Sequence, residues 1–308
     1  MNESLFINII IGISIASVPL MFAAIGELLV ERSGVLNLGV EGMMIVGALL
    51  GFVVMSHTQN PYLAVLSAML GGMAIASIFA FLTQFLLTNQ VATGLALTLF
   101  GLGLAALLGH SYSGIKPPSS PKFEWFGMSD ISIIGPIIFN HDLMVYFSVF
   151  LVLIVWIFLK FTRAGLILRA VGENHDAAHA LGYKVIRIRV LAIMFGGACA
   201  GLGGAYLSLI RVPQWTEGMT AGAGWIALAI VVFASWKPWR LILGAYLFGG
   251  VTILQLNLQA NGFAIPVSYL SMAPYLVTIV VLVIMSADRT RASVNAPASL
   301  GKIFHASS

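Results

Sequence analysis

Long apolar stretches separated by short polar ones fill almost the whole chain of 308 residues. Each apolar stretch is close to the ~20 residues that an α-helix needs to cross the core of a bilayer. The pattern predicts an all-α polytopic membrane protein with about nine transmembrane helices, eight and ten being the alternatives. The predicted spans are residues 5–26, 39–56, 62–87, 91–110, 143–160, 190–210, 221–236, 239–257 and 267–285.

The composition supports this fold class. The chain is 59% hydrophobic and 8% charged, with a mean hydropathy of +1.00, whereas about a quarter of the residues in a soluble domain are charged. We therefore expect a single transmembrane domain over residues 1–308, ending in a loose cytoplasmic tail over residues 286–308. The single cysteine, Cys199, provides neither a disulfide framework nor a metal cluster.

The lysines and arginines predict the orientation of the chain. If residues 163–189 are cytoplasmic and the spans alternate in direction, 12 of the 15 basic residues fall inside and 3 fall outside. This is a positive-inside bias, and it places the N-terminus outside and the C-terminus inside. The net charge of +4 comes mostly from these loops, so it does not indicate binding to a nucleic acid.

The longest polar interruption on the basic side is the loop of residues 161–189. Within it, Asn174 can cap a short helix, Asp176 lies in the first turn, and Gly182 can end it. A helix of about seven residues is not stable alone in water. The segment is therefore either an ordinary solvated loop or a docking element whose small side chains let a partner protein approach.

Polar side chains inside membrane spans are costly and often functional. Candidates for the path of a solute are Asn37, Glu41, Gln84, Gln255 and Asn257. Uncharged amides can hydrogen-bond a neutral polar solute without burying a charge. The alternatives are that Glu41 stabilises a helix N-terminus and that the amides are interfacial groups wetted by water.

No catalytic set of residues is evident. His175 and His179 have the i, i+4 spacing of metal ligands, but no third ligand lies near them in the sequence, so we expect no metal site. The chain lacks a GxxxxGK[ST] phosphate loop, so it is not expected to hydrolyse ATP in that way. It is therefore expected not to be an enzyme.

Four blocks of sequence, taken in order, carry a family resemblance. They are GELLVERSGVLNLGVEGMMIVGAL (26–49), VATGLALTLFGLGLAALLG (91–109), RAGLILRAVGENHDAAHALGYKV (163–185) and GWIALAIVVFASWKPW (224–239). Together they resemble the permease subunits of bacterial binding-protein-dependent ABC importers, in the branch with ribose, branched-chain amino acid and nucleoside permeases. The first block is most similar to the nucleoside and simple-sugar members.

The resemblance implies a function and partners. The chain would form the translocation path of an ATP-driven importer in the bacterial plasma membrane. The solute implied is a nucleoside or nucleobase, with a simple sugar or a branched-chain amino acid as alternatives. ATP and Mg would be bound by a separate cytoplasmic ATPase, and this chain would bind no cofactor. A substrate-binding protein or lipoprotein outside the membrane and a second permease subunit, identical or different, would complete the complex within the lipid bilayer.

The resemblance also implies which residues contact the ATPase. In such permeases a short cytoplasmic helix sits in a cleft of that subunit. Carried over to this chain, the contact residues would be Arg169, Gly172, Glu173, Asn174, Asp176, Ala177, Ala178, Ala180, Leu181 and Gly182. A receptor outside would dock on the loops of residues 111–140 and 211–224.

Two further hypotheses remain open at the level of sequence. The chain could be a stand-alone secondary transporter, or a membrane scaffold that transports nothing. A weak echo between GLALTLF (94–100) and GWIALAIVVF (224–233) favours a transporter, because these spans run in opposite directions in the predicted topology. Inverted repeats of this kind are common in transporter folds.

Overall fold

A computed structural model describes residues 3–115, 141–260 and 295–305, together with single positions within 137–139 and 269–283. All of the secondary structure in these ranges is helical. The predicted span 267–285 and most of the predicted docking loop 111–140 lie outside the described residues. The spans given below are those of the described residues.

Seven of the described helices are long and apolar enough to cross a membrane. They are α1 (Glu3–Arg32), α2 (Val40–Thr58), α3 (Pro61–Ala80), α4 (Gln90–Gly109), α5 (Leu143–Phe161), α8 (Val185–Tyr206) and α10 (Pro238–Ala260). Three shorter helices are α6 (Arg163–Glu173), α7 (His175–Ala180) and α9 (Ala223–Phe233). The prediction of an all-α polytopic membrane protein is confirmed.

One predicted span is shorter than expected. The sequence pattern places a span over residues 221–236, but α9 has only 11 residues. At ~1.5 Å per residue it is about 16 Å long, or roughly half of a 30 Å hydrocarbon core. Gly222, with φ +84°, marks the start of the helix and Trp236, with φ +54°, follows its end. The residues around the helix are apolar enough to read as a full span, but the backbone bends at both ends.

Glycine lets three helices of the core pack at backbone distance. A Cβ added at Gly72 of α3 would overlap the carbonyl oxygen of Gly197 in α8, and one at Gly204 of α8 would overlap the carbonyl oxygen of Met44 in α2. Helices in lipid associate largely through this kind of close packing, because no hydrophobic effect drives them together. The glycines that enrich these spans therefore hold α2, α3 and α8 in one tight unit.

The described chain contains two similar units that run in opposite directions. Helix α3 ends in a π-helical turn at Phe81–Phe85 and is followed by α4; helix α8 ends in a π-helical turn at Leu207–Arg211 and is followed by α9. Residues Ala68 and Gly72 pack against Gly201 and Gly197 respectively, so α3 and α8 are antiparallel. This arrangement agrees with the inverted repeat that the sequence echo indicated.

The end of the chain is packed rather than loose where the structure describes it. The Ser299 amide donates to the carbonyl of Gly172 at 2.9 Å, and the Gly301 amide donates to the carbonyl of Gly34 at 3.1 Å. Residues 295–305 thus pack against the end of α6 and the turn after α1, and the expectation of a loose tail is wrong for this stretch. Its polar composition suggested solvent, but its backbone is bonded to the last turn of a helix and to a turn.

Candidate functional site

The predicted docking helix is present. The Ala177 amide donates to Oδ1 of Asn174 at 2.9 Å, and Gly182, with φ +86°, follows the end of the helix. Both signals lie within a few residues of α7, which is why the sequence predicts it. Helix α6, which precedes α7, lies in what the sequence pattern predicts to be loop. Its N-terminal cap is Thr162, whose hydroxyl accepts from the Gly165 amide at 3.0 Å.

One predicted contact residue of α7, Ala178, is buried rather than exposed. Ala178 is only 3% exposed and packs with Val171, Val185 and Phe304. Ala177 and Ala180 are exposed, and Leu181 is 77% exposed. Ala178 therefore packs against the interior of the chain. On α7 and directly after it, the predicted contact residues left exposed to a partner are Asp176, Ala177, Ala180, Leu181 and Gly182.

The remaining predicted contact residues lie around the base of α7. The carbonyl of Glu173 accepts from the Ser299 hydroxyl at 3.2 Å, so Glu173 binds the tail. A Cβ at Gly172 would overlap the carbonyl oxygen of Arg32, so that position serves close packing. Arg169 is partly buried on α6, whereas Asp176 is exposed and lies 3.5 Å from Nε2 of His175.

Arg189 joins the segments beneath α7. Its side chain is fully buried; its guanidinium donates to the carbonyls of Ser33 at 3.3 Å and Lys302 at 3.2 Å, and lies 3.1 Å from Nδ1 of His175. A buried charge is tolerated only when it is well hydrogen-bonded. Sequence reasoning missed this role of Arg189, because two of its three partners, Ser33 and Lys302, are more than 100 residues away.

His175 is the titratable member of this cluster. Burial lowers the pKa of its imidazole below the usual 6.5, the positive charges of Arg189 and Lys302 lower it further, and Asp176 opposes the shift. A neutral ring can accept from the Arg189 guanidinium through Nδ1. The ring also lies 5.3 Å from the ring of Phe304, measured between centroids.

Glu41, one of the predicted solute contacts, is bonded to the segment that begins α9. Its Oε1 accepts from the Thr220 hydroxyl at 2.5 Å and from the Gly222 amide at 2.9 Å, and its Oε2 accepts from the Gly224 amide at 2.6 Å. Glu41 thereby caps the N-terminus of α9, which otherwise leaves unpaired amides inside the membrane. The alternative that Glu41 stabilises a helix N-terminus was right in kind, although the helix is α9 rather than its own.

The other end of α9 is also bonded to a glutamate. The Trp236 indole, three residues after the helix, donates to Oε2 of Glu31 in the last turn of α1 at 2.5 Å. Helix α9, which is about 16 Å long, is thus bonded to Glu41 at its start and to Glu31 beyond its end.

Asn37 is also occupied by structural bonds. Its amide donates to Oε1 of Glu27 at 3.2 Å, its side-chain amide donates to Oε2 of Glu27 at 3.4 Å, and its Oδ1 accepts from the Gly39 amide at 3.0 Å. Gln84 is buried and donates to the Thr83 hydroxyl at 3.1 Å. The bonds of Asn37 stabilise the non-helical segment before α2, whereas the Gln84 bond lies within the π-helical turn at the end of α3.

The five predicted path residues do not form one site. Asn37 lies level with Glu27 of α1, whereas Gln255 and Asn257 belong to the part of α10 that packs against Gly12 through Ile253. About 15 residues of α1 separate these levels, or roughly 22 Å. Asn257 donates to the carbonyl of Ile253 at 2.9 Å.

Comparison with known proteins identifies the family. Residues 9–286 match the family described as "Branched-chain amino acid transport system / permease component". The chain belongs to this permease family. The match covers nearly all of the chain and confirms the resemblance that the four sequence blocks indicated.

Two curated proteins and one solved structure are similar to this chain. The permease is 43% identical to TsgC13 of Haloferax volcanii, provisionally named a glucose ABC transporter permease, over 81% of this chain and 77% of that protein. It is 33% identical to the nucleoside ABC transporter permease NupC of Lactococcus lactis, over 89% and 90% of the two chains. A solved inward-facing ABC transporter, provisionally of the metal-chelate type, shares the fold with a TM-score of 0.52 at 18% identity, over 91% of this chain and 85% of that one.

Membership of the family decides between the hypotheses left open by the sequence. The permease is the membrane-spanning, non-enzymatic subunit of an ABC importer, and it is a multi-pass membrane protein. The family implies an ATPase and a substrate-binding protein as separate partners. A stand-alone secondary transporter and a non-transporting scaffold are therefore set aside.

Proposed function

We propose that the permease forms the translocation path for a nucleoside or nucleobase in a bacterial plasma membrane, with a simple sugar as the second candidate. The similarity to NupC supports the first, and the higher identity to TsgC13 supports the second. A branched-chain amino acid, suggested by the family description, is the third. Nucleosides and sugars are both neutral and rich in hydroxyl groups, so uncharged amides of the spans can hydrogen-bond them without burying a charge.

The ATPase contact is proposed to be the exposed face of α7. The observation that carries this proposal is that α7 is braced on its inner face by Ala178 and His175 but leaves Leu181 in solvent. A leucine exposed at 77% on a small, rigid helix presents apolar area to a partner at little conformational cost. ATP and Mg would be bound by that partner, and this chain would bind no cofactor.

The bonds beneath α7 suggest how movement reaches the membrane. Arg189 connects α7 to the segment after α1 through Ser33. That segment continues to Asn37, which is bonded to Glu27, and to Glu41, which caps α9. We propose that closure of the ATPase pair moves α7, Arg189 and the segment of residues 33–41 together, and so switches the spans between inward- and outward-open states.

The docking surface can be tested with two variants that leave the support of α7 intact. Leu181→Asp and Ala177→Arg are expected to abolish co-purification of the ATPase and ATP-driven uptake while the permease still inserts into the membrane. Gln214→Arg, at an exposed position on the opposite side of the bundle, is the control and should retain the ATPase. If both α7 variants bind the ATPase normally, α7 is not the contact.

Ala178→Arg is unsuitable for this test. Ala178 is packed inside the chain, so a charged side chain there would displace Phe304 and loosen α7 whatever the ATPase does. Loss of uptake in that variant would report folding rather than contact.

The solute can be identified by uptake into cells that express the whole importer. Labelled nucleosides should accumulate only with an active ATPase, and excess unlabelled nucleoside should compete whereas glucose and leucine should not. ATP-dependent accumulation of a hexose alone would replace the first candidate with the second. Accumulation of none of the three solute classes would contradict the proposed transport function.

A further inference from the structure

An apolar groove opens on the coupling side between α5, α6 and α8. Its volume is about 590 Å³, which lies in the range of pockets that hold small ligands. The walls include Ile154 and Phe158 of α5, Ile167 of α6, and Ile188, Leu191 and Phe195 of α8. No part of the proposed solute path or of the α7 docking surface lines it.

The groove runs along the membrane normal. Arg187 lies at its cytoplasmic end, and Phe195 lies eight residues further along α8. At ~1.5 Å per residue this is about 12 Å, close to the ~15 Å depth of one leaflet of the hydrocarbon core. A hydrocarbon chain aligned with the other lipids would fit this direction, whereas a polar solute would find apolar walls.

The mouth of the groove carries positive charge. Lys184 and Arg187 line it, both are exposed, and neither forms an ion pair with any described residue. Tyr183 lies beside them and is partly exposed. On α5 the Lys160 ammonium lies 5.1 Å from the centre of the Trp156 ring, an arrangement typical of the headgroup level. Apolar walls below two free cations are complementary to a lipid with an anionic headgroup.

We propose that this groove binds one anionic phospholipid of the cytoplasmic leaflet. One acyl chain lies along Ile188, Leu191 and Phe195, and the phosphate is bound by Lys184 and Arg187. Helix α6 forms one wall of the groove and leads directly into α7. The lipid would therefore contact the helix that precedes the proposed ATPase contact. The proposal concerns the lipid alone and does not depend on which solute is carried.

Native mass spectrometry of the complete importer tests the headgroup contact, with phosphatidylglycerol and phosphatidylcholine as the two probes. Phosphatidylglycerol should be retained preferentially. Each basic residue near an anionic lipid contributes roughly fivefold in affinity, so Lys184→Gln combined with Arg187→Gln should weaken binding about 30-fold. Arg240→Gln removes a charge on the same side outside the groove, and it should leave binding unchanged.

A second pair of variants tests the groove itself while keeping both charges. Ala164 is exposed and lines the groove, so Ala164→Trp should fill it and release phosphatidylglycerol. Ala170→Trp, an exposed position on α6 outside the lining, is the matched control. Equal retention of the two lipids, equal loss in the Arg240→Gln control, unchanged binding in Ala164→Trp, or a partner protein cross-linked into the groove would each overturn the proposal.

Discussion

Two short helices, α7 and α9, show two ways of stabilising a helix that cannot stand alone. Helix α7 has 6 residues and is capped by its own neighbour, Asn174. Helix α9 has 11 residues and is capped by Glu41, which is 183 positions before Gly224. A local cap is enough at the membrane surface, where water can satisfy the other amides. In the first turn of α9, Gly224 is buried inside the bundle, where no such water is at hand, so the carboxylate comes from another helix.

The largest effect should come from removing the distant cap. Glu41→Ala leaves one buried hydroxyl and two backbone amides without acceptors, and each loss costs ~1–3 kcal/mol. We expect a destabilisation of about 4 kcal/mol and a melting temperature in detergent lower by on the order of 10 °C. Thermal unfolding of the purified importer measures this.

The control for Glu41 is an acidic residue in the connection that leads to α9. Glu217 is exposed, so Glu217→Ala should leave the melting temperature unchanged. If Glu41→Ala melted within about 2 °C of the unmodified protein, a few tenths of a kcal/mol to about 1 kcal/mol at most would be assignable to the cap. That outcome would remove the proposed contrast between the two helices.

The bond beyond the C-terminal end of α9 should contribute less to stability than the Glu41 cap. Trp236→Phe keeps an aromatic ring but removes the N–H that bonds Glu31, and leaves one buried carboxylate oxygen with fewer donors. We expect a loss of about 2 kcal/mol in the free energy of unfolding. Trp239 is about half exposed, so Trp239→Phe is a matched control that should cost little. Equal destabilisation by both variants would show that ring size, rather than the hydrogen bond, is responsible.

The same contrast explains what could be predicted from the sequence. Asn174, Asp176 and Gly182 are local signals, so the position of α7 follows from them, whereas the role of Ala178 depends on Phe304, far away in the chain. The apolar run that contains α9 looks like a full span, but the left-handed backbone at Gly222 and the bonds to the distant Glu41 mark the start of a helix of only 11 residues. Charge counting treats Arg189 as a loop cation and does not show that it is buried. Composition and periodicity predict spans, whereas long-range hydrogen bonds decide which polar residues are structural.

Removing the local cap should have a smaller and more local effect. Asn174→Ala should cost about 1 kcal/mol, which corresponds to roughly fivefold faster hydrogen exchange of the Ala177 and Ala178 amides. The overall melting temperature should not change, because the spans do not depend on α7. ATP-driven uptake should fall.

Asn174→Asp is the matched control, since aspartate caps as well as asparagine does. It should restore both the exchange protection and the uptake. Unchanged exchange in Asn174→Ala would show that the tail and Arg189, rather than the cap, hold α7 in place.

The smallest expected effect is a pH dependence confined to α7. The pKa of His175 in the folded protein lies below 6.5, because the ring is buried beside Arg189 and faces Lys302 from the tail, with Asp176 opposing. A released helix would therefore bind a proton more readily than the docked one. The contribution of His175 to docking is fully present above pH ~6.5 and is lost as the pH falls through the lowered pKa. Protection factors of the α7 amides should accordingly fall on acidification, while those of α9 stay constant.

Two substitutions assign this pH dependence to one ring. His175→Gln keeps an acceptor for Arg189 but cannot titrate, so the fall in α7 protection should disappear. His179, whose ring lies 5.3 Å from that of Phe304 between centroids, is exposed, so His179→Gln should leave the fall in place. If the fall persists in His175→Gln, the docking of α7 does not depend on the charge of that histidine.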